Sequence, residues 1–121
     1  MSKFHIRAVP SGVKFDLKAS NGWVIFTSEV YTTEAACRSG IVSVRRNGPE
    51  AAVEDQTADG WVKQRNPKFE LYRDRSGEFR FRLKARNGKV IGVSAGYATH
   101  AGALGGVESV INSAAEAEIE E

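Results

Sequence analysis

Apolar and basic residues alternate strictly along one stretch of the chain. Phe79, Phe81, Leu83 and Ala85 fall on one side of an extended strand, and Arg80, Arg82, Lys84 and Arg86 on the other. An earlier stretch repeats this more weakly, with Phe15, Leu17 and Ala19 against Lys14, Asp16 and Lys18. Each predicts a strand with one dry and one wet face. Asn21-Gly22 and Asn87-Gly88 follow, and such pairs suit a two-residue type I′ hairpin turn, in which both central residues need positive φ. That geometry makes the second and third strands antiparallel neighbours, with Ala19 opposite Val24 and Leu17 opposite Phe26. Val24 and Phe26 then face the core, while Trp23 and Ile25 face away. In the later stretch Lys89, Ile91 and Val93 are expected on the outer face with Arg82, Lys84 and Arg86.

Helical spacing follows each third strand. Thr33 and Thr99 are placed to cap a helix N-terminus, and Glu34 adds a favourable charge in the first turn. Cys37, Ile41 and Val44 recur at helix intervals and predict a stripe packed on the sheet, with Gly40 permitting close approach. The second helical stretch carries Gly102, Gly105 and Gly106 where the first has Ala36, Ser39 and Gly40. Each extra glycine costs about 1 kcal/mol of helix propensity relative to alanine, so this helix is expected to fray or to be shorter.

These stretches are two copies of one unit. KFHIRAVPSG at 3–12 aligns with KFELYRDRSG at 68–77 at an offset of 65, and FDLKASNGWVI at 15–25 with FRLKARNGKVI at 81–91 at an offset of 66. The match continues through Ser28/Ser94, Tyr31/Tyr97, Thr33/Thr99, Gly40/Gly106 and Val44/Val110 to Val53/Ile119. The second copy, FELYRDRSGEFRFRLKARNGKVI, resembles the YegP-like family of small bacterial proteins, whose unit reads like FELYxDxxGEFRFRLKAxNGxVIxxSxGY. The resemblance covers nearly all of 3–55 and 68–121. It implies a shared sheet whose units exchange their last strands, and it brings no catalytic or binding residues that map onto this chain.

The expected fold class is therefore α+β: a tandem duplication of a β-β-β-α-β unit forming one mainly antiparallel sheet, with two helices packed on one face and the C-terminal strands exchanged. Residues 1–121 read as a single domain, with repeat one at 3–55, a connector at 56–67 in which Trp61 is expected to anchor on the core, and repeat two at 68–121. The strand assignments at 51–55 and 117–121 rest on the repeat and the resemblance, because their propensity is poor. A unit of ~50 residues cannot cover its own apolar face. Its twin in the same chain can, which predicts a monomer with a pseudo-twofold axis.

Charge and chemistry change the picture little. The formal net charge is +2, yet residues 62–89 hold ten Lys/Arg against three Asp/Glu, and acidic residues crowd the C-terminus. One reading is an anionic partner, and another is attraction between parts of the same molecule. With Cys37 the only cysteine, no intrachain disulfide can form, and no Cys/His cluster is present for a metal. There is no signal-peptide pattern at the start and no run of ~20 apolar residues, so a cytoplasmic protein is expected. Cys37 lies on the core stripe and reads as an inert buried thiol. His5 and His100 have no acidic partner at ligand spacing and read as surface residues. Ser28/Tyr31 and Ser94/Tyr97 read as structural corners. Neither GxGxxG nor GxxxxGK[ST] occurs, so no phosphate-cradling loop is implied.

No catalytic, cofactor or metal residues are expected, and the chain does not read as an enzyme. The function expected is a small non-catalytic interaction module that meets a protein or another macromolecule with its open sheet face, through Trp23, Ile25, Arg80, Arg82, Lys84, Arg86, Ile91 and Val93. The alternative is nucleic-acid binding through the basic ladder of repeat two, with its cations on phosphates.

Overall fold

The computed structural model describes residues 1–121. In chain order it contains β1 (Lys3–Val9), β2 (Gly12–Lys18), β3 (Val24–Ser28), α1 (Glu34–Asn47), β4 (Ala52–Asp55), β5 (Lys68–Arg73), β6 (Phe79–Lys84), β7 (Val90–Ser94), α2 (His100–Glu116) and β8 (Glu118–Glu120), with a 3₁₀ turn at Gly48–Glu50. The alternation along β6 does what its periodicity predicts: Phe81 and Leu83 are fully buried, whereas Arg80, Arg82 and Lys84 point to the other face.

All eight strands form one sheet in the order β4-β5-β6-β7-β3-β2-β1-β8. Exchanging β1–β4 for β5–β8 reproduces this order read from the opposite edge. The two copies meet at an antiparallel pairing of β3 with β7, where Thr27 stands opposite Val93, its own counterpart at offset 66. The last strands are exchanged: β4 lies parallel to β5 of the other copy, and β8 lies parallel to β1. Both helices cover the face that carries Phe4, Phe15, Leu17, Phe26, Phe69, Leu71, Phe81 and Leu83, and Ile41, Val44, Val107 and Val110 close the core over them. The opposite face of the sheet has no helix.

The hairpin turns differ from the type I′ expectation. Only Gly22 (φ 86°) and Gly88 (φ 83°) have positive φ in them, and no non-glycine residue in the chain does. Gly22 donates its N–H to Ala19 O (2.8 Å), and Ala19 donates to Trp23 O (2.9 Å), which makes a three-residue loop with glycine in the left-handed position. The Asn21 side chain favours it by accepting the Trp23 N–H at 3.0 Å, and Asn87 does the same for Lys89. The extra loop residue moves the register. Leu17 still faces Phe26, but Lys18 faces Val24, and a bulge leaves Ile25 without a partner. Val24 is consequently exposed, and Ile25 packs against the core. In the second copy Leu83 faces Gly92, Lys84 faces Val90, and Ile91 turns into the core at 4% exposure, away from the outer face expected for it.

Helix α2 also departs from expectation. It runs 17 residues against 14 for α1. Burial of Ala103, Val107, Val110 and Ala114 outweighs the glycine penalty, and Gly106 is there because a Cβ would fall 2.4 Å from Tyr97 Oη. Thr99 caps it through Gly102 N–H (2.9 Å), as Thr33 caps α1 through Ala36 N–H (3.1 Å). At its other end the Arg45 guanidinium from α1 donates to Ala114 O and Ala117 O, placing a cation where the helix carries partial negative charge.

Candidate functional site

The helix-free face is built from one residue of each strand in turn. Register places Glu54, Glu70, Arg82, Val93, Thr27, Asp16, His5 and Glu120 side by side in a single row across the sheet. Position for position, the copies differ in its interior. Arg82 is matched by Asp16 in the first copy, and Glu70 by His5.

On the half formed by β4, β5 and β6 the charges neutralise one another. Lys68 Nζ lies 2.8 Å from Glu54 and 3.3 Å from Glu70, and Glu70 also takes Arg82 (2.6 Å) and Lys84 (3.3 Å). Burial by itself would raise the Glu70 carboxyl, but hydrogen bonds from Arg82, Lys84 and Lys68 overcome it and hold the group at about 2. The same contest lowers Glu54, which burial would raise and Lys68, Gln64 and Gln56 pull down. Burial would likewise lower Lys68, yet Glu54 and Glu70 keep it above its usual value. Arg80 is held by Asp74 at 2.7 Å, the Arg82 guanidinium stacks 4.4 Å from the Tyr72 ring centre, and Arg86 pairs with Glu50 at 2.7 Å. Hydrogen bonds from Ser76 and Arg80 keep Asp74 well below the carboxylate range.

Segment 56–67, between β4 and β5, lies over this half. Gln64 donates its backbone N–H to Glu54 (2.7 Å), and Gln56 Nε2 donates to the other carboxylate oxygen (2.7 Å). Trp61 is 46% exposed and does not reach the core as expected, because the surface beneath the segment is ionic and takes polar groups instead.

The half formed by β1, β2, β3 and β8 is bare. Asp16 receives Arg7 (2.8 Å) and Thr27 Oγ1 (2.6 Å); burial would raise its carboxyl, and these two bonds lower it. Lys3 and Glu120 form the counterpart of the Lys68–Glu54 pair at 2.9 Å, but with side chains 47% and 43% exposed, against 4% and 1% in the covered pair. Lys14 and Lys18 have no carboxylate within 4 Å. Trp23 stands 74% exposed at the adjoining turn.

The residues expected to form one binding face are thus dispersed. Arg80, Arg82, Lys84 and Arg86 are all ion-paired, Val93 is half-buried beside Thr27, Ile25 and Ile91 belong to the core side, and only Trp23 is free. The reading missed the paired Lys/Glu positions. Their signal was present, since Lys3/Lys68 and Glu54/Glu120 are identical between the copies.

Other candidates are accounted for locally. Cys37 is fully buried, and burial pushes its thiol up, away from the reactive thiolate. His100 is no isolated surface residue, because Nε2 lies 2.7 Å from Asp55 on the exchanged strand and the ring packs edge-on to Phe79. Ser28 Oγ accepts from Phe15 N–H and donates to Glu29 O, and Ser94 repeats this with Phe81 and Ala95. The Tyr31 and Tyr97 rings stack on Phe15 and Phe81 over Gly40 and Gly106. No three His, Cys, Asp or Glu side chains gather at metal-binding distance, and no helix is long and apolar enough to cross a membrane. Two adjoining grooves of about 480 and 340 Å³ run between α1 and the β6–β7 turn, and a third recess of about 540 Å³ lies beside Lys3 and Glu120.

Fold and surface together define a class: a duplicated α+β module with exchanged edge strands and an ionic open sheet face. The chain belongs to the family described as Domain of unknown function (DUF1508), which matches residues 12–55 and 74–121. It is 38% identical over 117 residues to a UPF0339 protein of Pseudomonas aeruginosa, covering 96% of this chain and 93% of that one. It is 41% identical over 101 residues to the UPF0339 protein YegP of Escherichia coli O157:H7, covering 83% and 77%. The solution NMR structure of the protein of unknown function yegP from E. coli superposes with a TM-score of 0.79 at 31% identity, over 98% of this chain and 90% of that one. A UPF0339 protein from Shewanella oneidensis gives 0.77 at 29% identity, over 98% and 89%.

Proposed function

We propose that this chain is a monomeric, cytoplasmic, non-catalytic interaction module: one domain of two units, 3–55 and 68–121, related by a pseudo-twofold axis through Thr27 and Val93 and joined by 56–67. It meets a protein partner with its open sheet face, through the half that segment 56–67 leaves bare. The observation that carries this reading is the contrast in charge pairing. Every cation of the β6 ladder is committed to a carboxylate of the same molecule, whereas Lys14, Lys18 and Trp23 on the other half have no partner. The same contrast counts against a phosphate-binding ladder, because ladder cations released to a nucleic acid would strand Glu70 in a largely buried site.

A photo-crosslinking side chain placed in the source cell at Thr27, and in a second variant at exposed Val42 on α1, tests it. Discrete crosslinks to a protein from position 27 and not from 42, diminished by Lys14→Glu with Trp23→Ala, are expected. Equal labelling from both positions overturns the reading. So does crosslinking to nucleic acid with an affinity that falls steeply with salt.

A further inference from the structure

We propose that the two adjoining grooves between α1 and the β6–β7 turn form a binding site for a small phosphomonoester with a hydroxylated body, a sugar phosphate in chemical class. The site lies on the helix side of the sheet and does not rest on the open-face reading. In the groove of about 480 Å³, Arg46 from the last turn of α1 and Arg86 from the β6–β7 turn flank Ser43 and Asn87. The neighbouring groove of about 340 Å³ shares Ser43 and Asn87 and adds Lys89 and Glu29. Each volume falls in the range of small-molecule sites, about 300–1,000 Å³.

Donors in these grooves are free, whereas the acceptors beside them are taken. Asn87 Oδ1 accepts the Lys89 N–H at 3.0 Å, which leaves Asn87 Nδ2 without an acceptor in the chain. Ser43 Oγ accepts from Asn47 Nδ2 at 2.9 Å, which leaves its hydroxyl proton to donate. Arg46 and Lys89 hold no carboxylate. Arg86 holds only Glu50, and with side chains 73% and 55% exposed that pair is weak and gives way to a stronger acceptor. This set matches a dianion with several acceptor oxygens, since a guanidinium takes phosphate through two parallel N–H bonds strengthened by charge. Glu29 lines only the second groove, where it repels the phosphate and accepts from a hydroxyl. It therefore fixes which way round the ligand lies.

The duplication shows that the fold does not require these charges. The equivalent surface, between α2 and the β2–β3 turn, keeps the framework: Ser109 stands for Ser43 and Asn21 for Asn87, and Asn21 accepts the Trp23 N–H as Asn87 accepts that of Lys89. Its charges are different. Asn112 stands for Arg46, Ser20 for Arg86, Trp23 for Lys89 and Ala95 for Glu29, while Glu108 replaces Val42. No groove of comparable size lies there. Three cations gathered around one groove, at positions where the other copy has none, are the observation that carries the proposal.

The test is amide NMR of the isotope-labelled full chain, titrated in turn with ribose 5-phosphate, glucose 6-phosphate, inorganic phosphate, ribose and succinate. At least one sugar phosphate is expected to shift the amides of Ser43, Arg46, Asn87 and Lys89. Inorganic phosphate is expected to shift the same amides more weakly, and ribose and succinate to leave them in place. Arg46→Gln and Lys89→Gln, both at the surface, are each expected to weaken the sugar phosphate about fivefold or more while leaving the remaining spectrum intact. Arg75→Gln removes the same charge from the exposed β5–β6 turn and is expected to leave binding unchanged. Failure of both sugar phosphates to bind, or shifts confined to other amides, overturns the proposal. Succinate or inorganic phosphate binding as tightly as the sugar phosphates also overturns it, because the phosphate or the hydroxylated body then contributes nothing. An equal loss in Arg75→Gln does the same, by reducing the effect to overall charge.

Discussion

Phe26 and Gly92 occupy the same position in the two copies, and the Phe26 ring fills the space that Gly92 leaves. A Cβ on Gly92 would fall 2.4 Å from Thr27 O and 2.6 Å from Phe26 Cε2. These positions flank the β3–β7 junction, where counterpart residues approach each other, so room for one large ring is shared unequally between the copies. Two identical units have no such freedom at this point.

Gly92→Ala is therefore expected to destabilise the chain by about 1–3 kcal/mol, since the nearest obstacle is backbone and cannot swing away. Equilibrium urea unfolding reads this as a lower midpoint. An unchanged midpoint means that the junction is looser than described.

Adjacent glycines in α2 are expected to respond with opposite sign. Gly105 has nothing within 4 Å of an added Cβ, so Gly105→Ala stabilises by about 0.5–1 kcal/mol through helix propensity. Gly106→Ala forces the Tyr97 ring off the helix and destabilises by about 1–3 kcal/mol despite the better propensity. Thermal melts of the two single variants settle the comparison.

Acid sensitivity is expected to centre on Glu70. Its folded value of about 2 lies below the usual 4.5, so between these pH values the unfolded chain binds the proton that the folded chain refuses. The associated stability, on the order of 3 kcal/mol, is fully present above about pH 4.5 and is lost as pH falls toward 2. Glu54 and Asp16, lowered in the same direction, add to the slope. Unfolding free energy followed from pH 6 to 2 should fall less steeply in Glu70→Gln than in the unaltered chain. Parallel curves would mean that Glu70 is not the sensitive group.

The two Lys–Glu pairs provide an internal comparison of burial. Lys68→Met leaves the Glu54 carboxylate buried without its cation and is expected to cost about 3–5 kcal/mol. Lys3→Met at the exposed twin is expected to cost no more than about 1 kcal/mol. Urea unfolding at neutral pH separates these, and similar losses would show that segment 56–67 does not shield its pair.

Most of the architecture was legible in the residues. Alternation marked β2 and β6, the spacing of Cys37, Ile41 and Val44 marked α1, and the offset of 65–66 revealed the duplication. The exchange of last strands was implied by the family resemblance, with the repeat joining 51–55 to 117–121. The helix-free face was legible as a face, but its chemistry was not. Arg80, Arg82 and Lys84 look free along the chain, while the carboxylates that hold them lie up to 14 residues away, on other strands or in a turn.

What the sequence by itself determined is everything governed by short-range periodicity and by likeness between its halves: the elements, their number and the antiparallel pairing of the second strand with the third in each copy. Tertiary structure alone decided the turn type, since an Asn-Gly pair serves two loop geometries and the Asn21 bond to Trp23 N–H selects between them. It also decided that Ile91 turns inward, that α2 runs full length despite its glycines, and which Lys–Glu pair is covered. Each of these depends on which groups meet across the sheet and on how much water is left between them.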